Sequence, residues 1–387
     1  MESGTLKIGI KKIMKKVFMF VNVDWFFLSH RLPIAQAAKK NNVDMSVYTE
    51  FTQAHNKKLI AGFNLLNSPL QRTSKSVLHF ILEFANAYKI IKKGKPCLIH
   101  AVTIKPILVL GIIARLTSTP FIGSISGLGP AFSPHNYFTK IRLKVILRIF
   151  RFIFSRKDVG IICQNSYDRD YLLGHGLLSK EKILLIHGSG VDLENYSPSK
   201  KKDNAEKYIL MSARILYDKG VKEFCLAAET VRKKLGNKVK FKLSGPIDNS
   251  SPTSISEYEV KKLSDKYEVE YLGNREDMPE LLASALIFVL PSYYPEGLPK
   301  VLCEAAASGV PIITTDHPGC RDAIVNRETG LLVAIKNPES LACAIIELLT
   351  NDSLSEYMSK QARLYAEKSF QDSSVVNDHY SLYQQLI

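Results

Sequence analysis

The chain has 387 residues, 46% hydrophobic and 23% charged, which suits two globular domains with cores of their own rather than one. Its net charge of +15 is uneven, since residues 1–200 hold 29 Lys and Arg against 11 Asp and Glu while residues 201–387 hold 23 against 26. No membrane span is expected, because His100, Lys105 and Arg115 interrupt the best apolar window, and no secretory signal is read in the short VFMFV run after Lys15 and Lys16.

In chain order, KVFMFVNV (residues 16–23), a helix over 32–40 and DMSVYTE (44–50) read as strand, helix, strand. CLIHAV (97–102), a helix over 107–116, FIGSIS (121–126), VGIICQ (159–164) and ILLIHG (183–188) continue the alternation. Between them, residues 137–157 read as one helix. At about 100° per residue, Lys140, Lys144, Arg148 and Arg151 fall within roughly 80° of one another, apolar residues cover most of the rest, and Arg142 alone lies inside the apolar arc. Two readings stay open: a buried helix with snorkelling cations, or an interfacial helix whose Lys144, Arg148 and Arg151 meet an anionic membrane. The basic surplus of the first 200 residues fits such attraction to lipid, and it also fits plain solubility.

The polar SPSKKKDNAEK (197–207) lacks apolar periodicity and reads as an interdomain linker. Beyond it come YILMSA (208–213), a helix over 219–235, VKFKLSG (239–245), VEYLG (269–273), ALIFVLPS (285–292) and VPIITT (310–315). Two helices follow Asn337, and an amphipathic stretch covers 373–386. Strands alternating with helices throughout imply doubly wound parallel sheets. The six cysteines are scattered without CxxC or metal spacing and read as reduced thiols of a cytoplasmic protein.

Glu296 and Glu304 stand on either side of a helix start. Pro299 suits the first helical position, Gly309 the residue past the end, and Pro311 forbids continuation, so a helix is expected over 298–308. Ligands of parallel sheets bind at the carboxyl ends of the strands. Glu296, Gly297, Leu298 and the helix N-terminus therefore face one ligand site, with free N–H groups for a phosphate or a sugar hydroxyl. A nucleotide sugar is such a ligand. Arg214 and Lys219, just after the first strand of the second half, stand where a diphosphate is held. Gly188-Ser189-Gly190 and Gly127-Leu128-Gly129 both lack the third glycine of a dinucleotide turn, and no P-loop occurs.

Glu296, Gly297-Leu298-Pro299, Glu304, Ser308-Gly309-Val310-Pro311 and Pro318-Gly319-Cys320-Arg321-Asp322 together resemble the donor-site signature of the retaining GT-B glycosyltransferases, family 4 in particular. The resemblance covers almost the whole chain. It implies an α/β GT-B fold, two Rossmann-like doubly wound parallel-sheet domains facing a cleft: an acceptor-binding domain (1–197), a linker (198–207), a donor-binding domain (208–365) and a last helix (366–387) crossing back. It implies Glu304 on the donor ribose, Glu296 on the sugar hydroxyls, Arg214 and Lys219 on the diphosphate, and Gly245, Ser292, Gly297, Leu298 and Pro299 around the donor. DWFFLSHRLPIA (24–35), IHAVTIKP (99–106), ISGLGPAF (125–132) and CQNSYDRDYL (163–172) match capsule, O-antigen and glycan-assembly members. The first and third read as loops after strands facing the cleft, which makes His30, Gly127 and Gly129 candidates there, and His100 in the second segment is a further cleft candidate. Many members carry a second histidine where Val102 stands here.

The implied activity is transfer, with retention, from a nucleoside diphosphate sugar, UDP-linked, to a polyprenyl-diphosphate-linked or growing glycan acceptor in surface polysaccharide biosynthesis. The nucleotide sugar is a co-substrate, and neither a metal nor another cofactor is implied. The protein would work in the cytoplasm, held peripherally on the inner face of the membrane. A GT-B epimerase acting on a UDP-sugar would share the fold and the diphosphate site but not the paired glutamates. A basic nucleic-acid-binding protein would explain the charge but not the donor segment, and no nucleic-acid motif occurs.

Overall fold

The computed structural model describes residues 15–52, 63–71, 76–132, 136–198 and 206–387. Among these, seven strands form one sheet: β1 (Lys15–Val23), β2 (Val43–Glu50), β3 (Asn64–Asn67), β4 (Leu98–Val102), β5 (Phe121–Ile125), β6 (Val159–Cys163) and β7 (Ile183–Leu185), in the order β3-β2-β1-β4-β5-β6-β7. Six form another: β8 (Tyr208–Ser212), β9 (Lys240–Ser244), β10 (Val269–Tyr271), β11 (Ile287–Leu290), β12 (Ile312–Thr315) and β13 (Gly330–Val333), in the order β10-β9-β8-β11-β12-β13. The pairings are parallel. Every residue of β4, β5, β6, β11 and β12 is buried, as strands covered on both faces must be. Each sheet reverses its order beside its first strand, between β1 and β4 and between β8 and β11. Those reversals are where such sheets open a crevice at their carboxyl ends.

The chain packs as two compact units, one running up to Gly123 and including Tyr380–Ile387, the other Ser124–His379. The segment 198–207 falls between the last strand of the first sheet and the first of the second, and its residues 199–205 lie outside the described residues. In the first unit, the Tyr383 hydroxyl lies 2.6 Å from His100 Nδ1, both residues fully buried. Arg31 is fully buried as well, its Nε and Nη2 without hydrogen-bond partners, and burial lowers its guanidinium to about 10. In the second unit, Val191 forms a parallel bridge with Gln371, and a Cβ at Gly190 would overlap Asp372.

Three expectations are corrected. The segment 24–35 is not a loop: the helix Asp24–His30 runs straight into the expected helix Leu32–Lys40. Asp24 anchors the first turn, its carboxylate accepting the Trp25 N–H at 2.9 Å, the Thr52 N–H at 3.0 Å and the Thr52 hydroxyl at 2.6 Å. Buried Phe27, Ile34 and Ala35 turn both helices inward. The helix after Glu296 spans Lys300–Ala307, shorter than 298–308, because Pro299 is extended at ψ 116° and precedes it; Gly309, at φ 62°, takes the left-handed conformation expected past its end. The helix over 137–157 stops at Phe154. Several elements went unanticipated, among them β3, β13 and the helices Val77–Gly94 and Ser166–Gly174.

Candidate active site

The chain leaves β8 at Ser212, passes Arg214 and a single 3-10 turn, Tyr217–Lys219, and enters the helix Val221–Leu235. From β11 it passes Ser292 and Glu296 before the helix Lys300–Ala307. Two glycines allow close backbone approaches here, Gly220 between these two segments and Gly245 after β9 against the first. Gly220 (φ 82°) and Gly245 (φ 138°) lie against the carbonyls of Pro291 and Ala213, where any Cβ would overlap.

The result is a compact charged cluster at the switch point. Lys219, only 6% exposed, pairs with Glu296 Oε1, and the Ser292 hydroxyl donates to the same oxygen at 3.0 Å. The Lys219 ammonium also lies 5.3 Å from the Tyr294 ring centre. Arg214 Nη1 donates to Asp248 Oδ2 at 2.7 Å. Asp218 accepts the Thr253 hydroxyl at 2.9 Å. Burial pushes its carboxyl up, while Thr253, Lys219 and Arg214 pull it down and Glu296 opposes them, so Asp218 feels all three neighbouring charges. A planar cation and a point cation at a strand's carboxyl end can hold a diphosphate, and a carboxylate beside them can accept hydroxyl hydrogen bonds.

Glu304 has partners of its own. Burial raises its carboxyl against the opposing pull of Lys300 and the Tyr196 phenol, and it lies 4.0 Å from Lys300 Nζ. Leu298 is buried against Gly188. Gly127 packs on the Glu296–Gly297 peptide, where a Cβ would come within 2.8 Å of Glu296 C and Gly297 N. Gly129 lines a cavity of about 320 Å³ beside Glu296, with Phe132, Tyr167, Asp168, Tyr171 and His317 among its walls. There burial pushes the Asp168 carboxyl up to about 7, against the hydrogen bonds of Asn165 and Leu128. His30 and His100 belong to the other unit. His30 stacks on Phe26, ring centres 4.1 Å apart, and His100 is buried against Tyr383.

The structure thus brings Glu296, Lys219, Ser292, Gly297 and Gly127 into one contact network. Sequence reasoning missed Asp218, Asp248, Tyr196, Asn165 and Asp168. Asn165 had a signal, an Asn followed three residues on by Asp168 at a helix start. Asp248 and Tyr196 had none, since their partners are far off in the chain.

The helix Tyr137–Phe154 buries Leu143, Ile146, Phe150, Ile153 and Phe154. Its other face leaves Tyr137 and Phe138 72% and 80% exposed, and Ile141, Val145 and Phe152 exposed between Lys140, Lys144 and Arg148. Arg151 Nη2 donates to the His175 carbonyl at 2.8 Å. Among the described residues no helix is long and apolar enough to cross a membrane, and no group of three His, Cys, Asp or Glu side chains is placed to hold a metal ion.

Comparison with known proteins agrees with this geometry. Residues 192–365 match the family described as "Glycosyl transferases group 1", and residues 16–165 match "Glycosyl transferase 4-like". The chain is 28% identical, over 93% of its length and 98% of the other's, to the N,N'-diacetylbacillosaminyl-diphospho-undecaprenol alpha-1,3-N-acetylgalactosaminyltransferase of Campylobacter jejuni. It is 24% identical, over 74% of its length and 75% of the other's, to the UDP-Gal:alpha-D-GlcNAc-diphosphoundecaprenol alpha-1,3-galactosyltransferase of Escherichia coli. In structure it resembles Anabaena HepE in complex with UDP and glucose, with a TM-score of 0.75 and 17% identity over 96% of this chain and 99% of that one. Two parallel α/β sheets, a charged switch-point cluster and both family matches lead to one assignment: the chain is a glycosyltransferase of the GT-B fold, belonging to the group 1 and 4-like glycosyltransferase families.

Proposed function

We propose that the protein moves a sugar from a UDP-linked donor to a polyprenyl-diphosphate-linked or growing glycan acceptor, with retention and without a resident metal or other cofactor, at the inner face of the cytoplasmic membrane. The observation that carries this reading is the Lys219–Glu296–Ser292 cluster, with Arg214 beside it, at the switch point of the second sheet. The names of the two relatives, one with a UDP-sugar donor and both with diphospho-undecaprenol acceptors, support the same substrates.

In this reading Arg214 and Lys219 face the donor diphosphate and stabilise the charge that grows on it as it departs. Glu296 accepts hydrogen bonds from the sugar hydroxyls, and Glu304 from the ribose. Residues 208–365 serve as the donor domain and residues 1–197 receive the acceptor, with the exposed apolar and basic face of the helix Tyr137–Phe154 resting on anionic lipid.

The test is a screen of UDP-, GDP- and ADP-sugars with a synthetic polyprenyl-diphosphate-linked saccharide, reading nucleotide release and the mass and anomeric configuration of the product. Acceptor-dependent UDP release with an elongated, retained product is expected. An epimer formed from donor alone would point to an epimerase, and no turnover with any UDP-sugar would overturn the donor assignment.

A further inference from the structure

The Glu296 carboxylate pairs with Lys219, while its backbone is held by other residues. Asn165, fully buried, caps the helix Ser166–Gly174 with its side-chain oxygen, which accepts the Asp168 N–H at 2.7 Å. That bond fixes the orientation of the amide, because only the nitrogen end can then serve the remaining partners. The nitrogen donates to the carbonyls of Glu296 at 3.0 Å and Gly297 at 2.8 Å, and lies 3.0 Å from Asp168 Oδ2.

Three glycines complete the grip. A Cβ at Gly127 would come within 2.8 Å of the Glu296–Gly297 peptide and of the Pro295 carbonyl. One at Gly319 would overlap the Gly297 carbonyl and reach 2.7 Å from that of Glu296, and one at Gly297 would overlap Gln164. The backbone around Glu296 and Gly297 is therefore closely packed, and the carbonyls of both residues, in two successive peptides, end on a single amide.

We infer that Asn165 is a positioning residue for Glu296: its amide clasps the backbone carbonyls of Glu296 and Gly297 and thereby fixes where the Glu296 carboxylate points. The inference rests on the proposed role of Glu296 at the donor sugar. Misplacing a catalytic group by about 1 Å costs on the order of a hundredfold in rate, so the loss of one clasp is large enough to measure.

Asn165→Ser separates clasp from cap, since a serine oxygen still caps the helix but the amide donors are gone. In the full chain it is expected to lower kcat about tenfold or more with the UDP-sugar that turns over fastest, while calorimetry with UDP itself gives an affinity within about twofold of wild type. The ratio of UDP-sugar to UDP affinity should fall toward that of Glu296→Ala, and Asn165→Ser added to Glu296→Ala should change it no further. Wild-type turnover in Asn165→Ser overturns the inference. So does an equal loss of that ratio in the Glu296→Ala background, and so does a loss of folding or of UDP binding, which would make Asn165 structural. Full activity in Glu296→Ala would instead remove the reading of Glu296 on which the inference rests.

Discussion

A carboxyl group as enclosed as Asp168 makes stability depend on pH in a direction opposite to that of a surface ion pair. Burial raises it to about 7, whereas an aspartate in an unfolded chain titrates near about 4. Between these values the folded protein holds a proton that the unfolded chain has lost, so stability falls as pH rises through that window. Asp168→Asn should flatten this part of the curve, read as urea midpoints across the window for both proteins. Parallel curves would mean that Asp168 is already ionised in the fold. Glu296, Ser292 and Lys219 could be found in the sequence because they lie in strand-to-helix segments that resemble a family signature. Asp248 and Tyr196 could not, because a residue's chain neighbours do not tell which distant cation or carboxylate it will meet.

At the scale of one element, the helix Tyr137–Phe154 turns two apolar faces in different directions. The spacing of Lys140, Lys144, Arg148 and Arg151 was visible on a helical wheel. Which apolar residues are left outside was not, since only packing buries Leu143, Ile146 and Phe150 and leaves Phe138, Ile141 and Val145 exposed. Bulky apolar residues flanked by cations suit the headgroup region of an anionic leaflet, at about 1 kcal/mol per well-placed Lys or Arg. Replacing Lys144, Arg148 and Arg151 together by Glu should abolish co-sedimentation with anionic vesicles and leave UDP affinity unchanged, and raised salt should weaken the wild type in the same direction. If both proteins sediment equally, these cations merely solvate the surface.

For the whole molecule, the last eight residues matter as much as any strand. Tyr380–Ile387 pack with the first unit, where the Tyr383 hydroxyl meets His100 and its phenol feels the charge of the buried Arg31. Tyr383→Phe keeps the ring but leaves His100 Nδ1 without this partner, which should cost about 1–3 kcal/mol, measured as a lower urea midpoint. An unchanged midpoint would mean that this end of the chain adds nothing to the stability of the unit. By itself the sequence determined the alternation of strands and helices, the parallel sheets and the loop carrying Glu296, because these follow from local periodicity, from Gly309 past a helix end and from prolines that forbid continuation. The tertiary structure alone decided that Asn165 clasps the Glu296 peptide, that Asp248 pairs with Arg214 and that Tyr383 reaches His100. Those contacts join residues tens to hundreds of positions apart, and they form only when whole elements dock, which no pattern along the chain records.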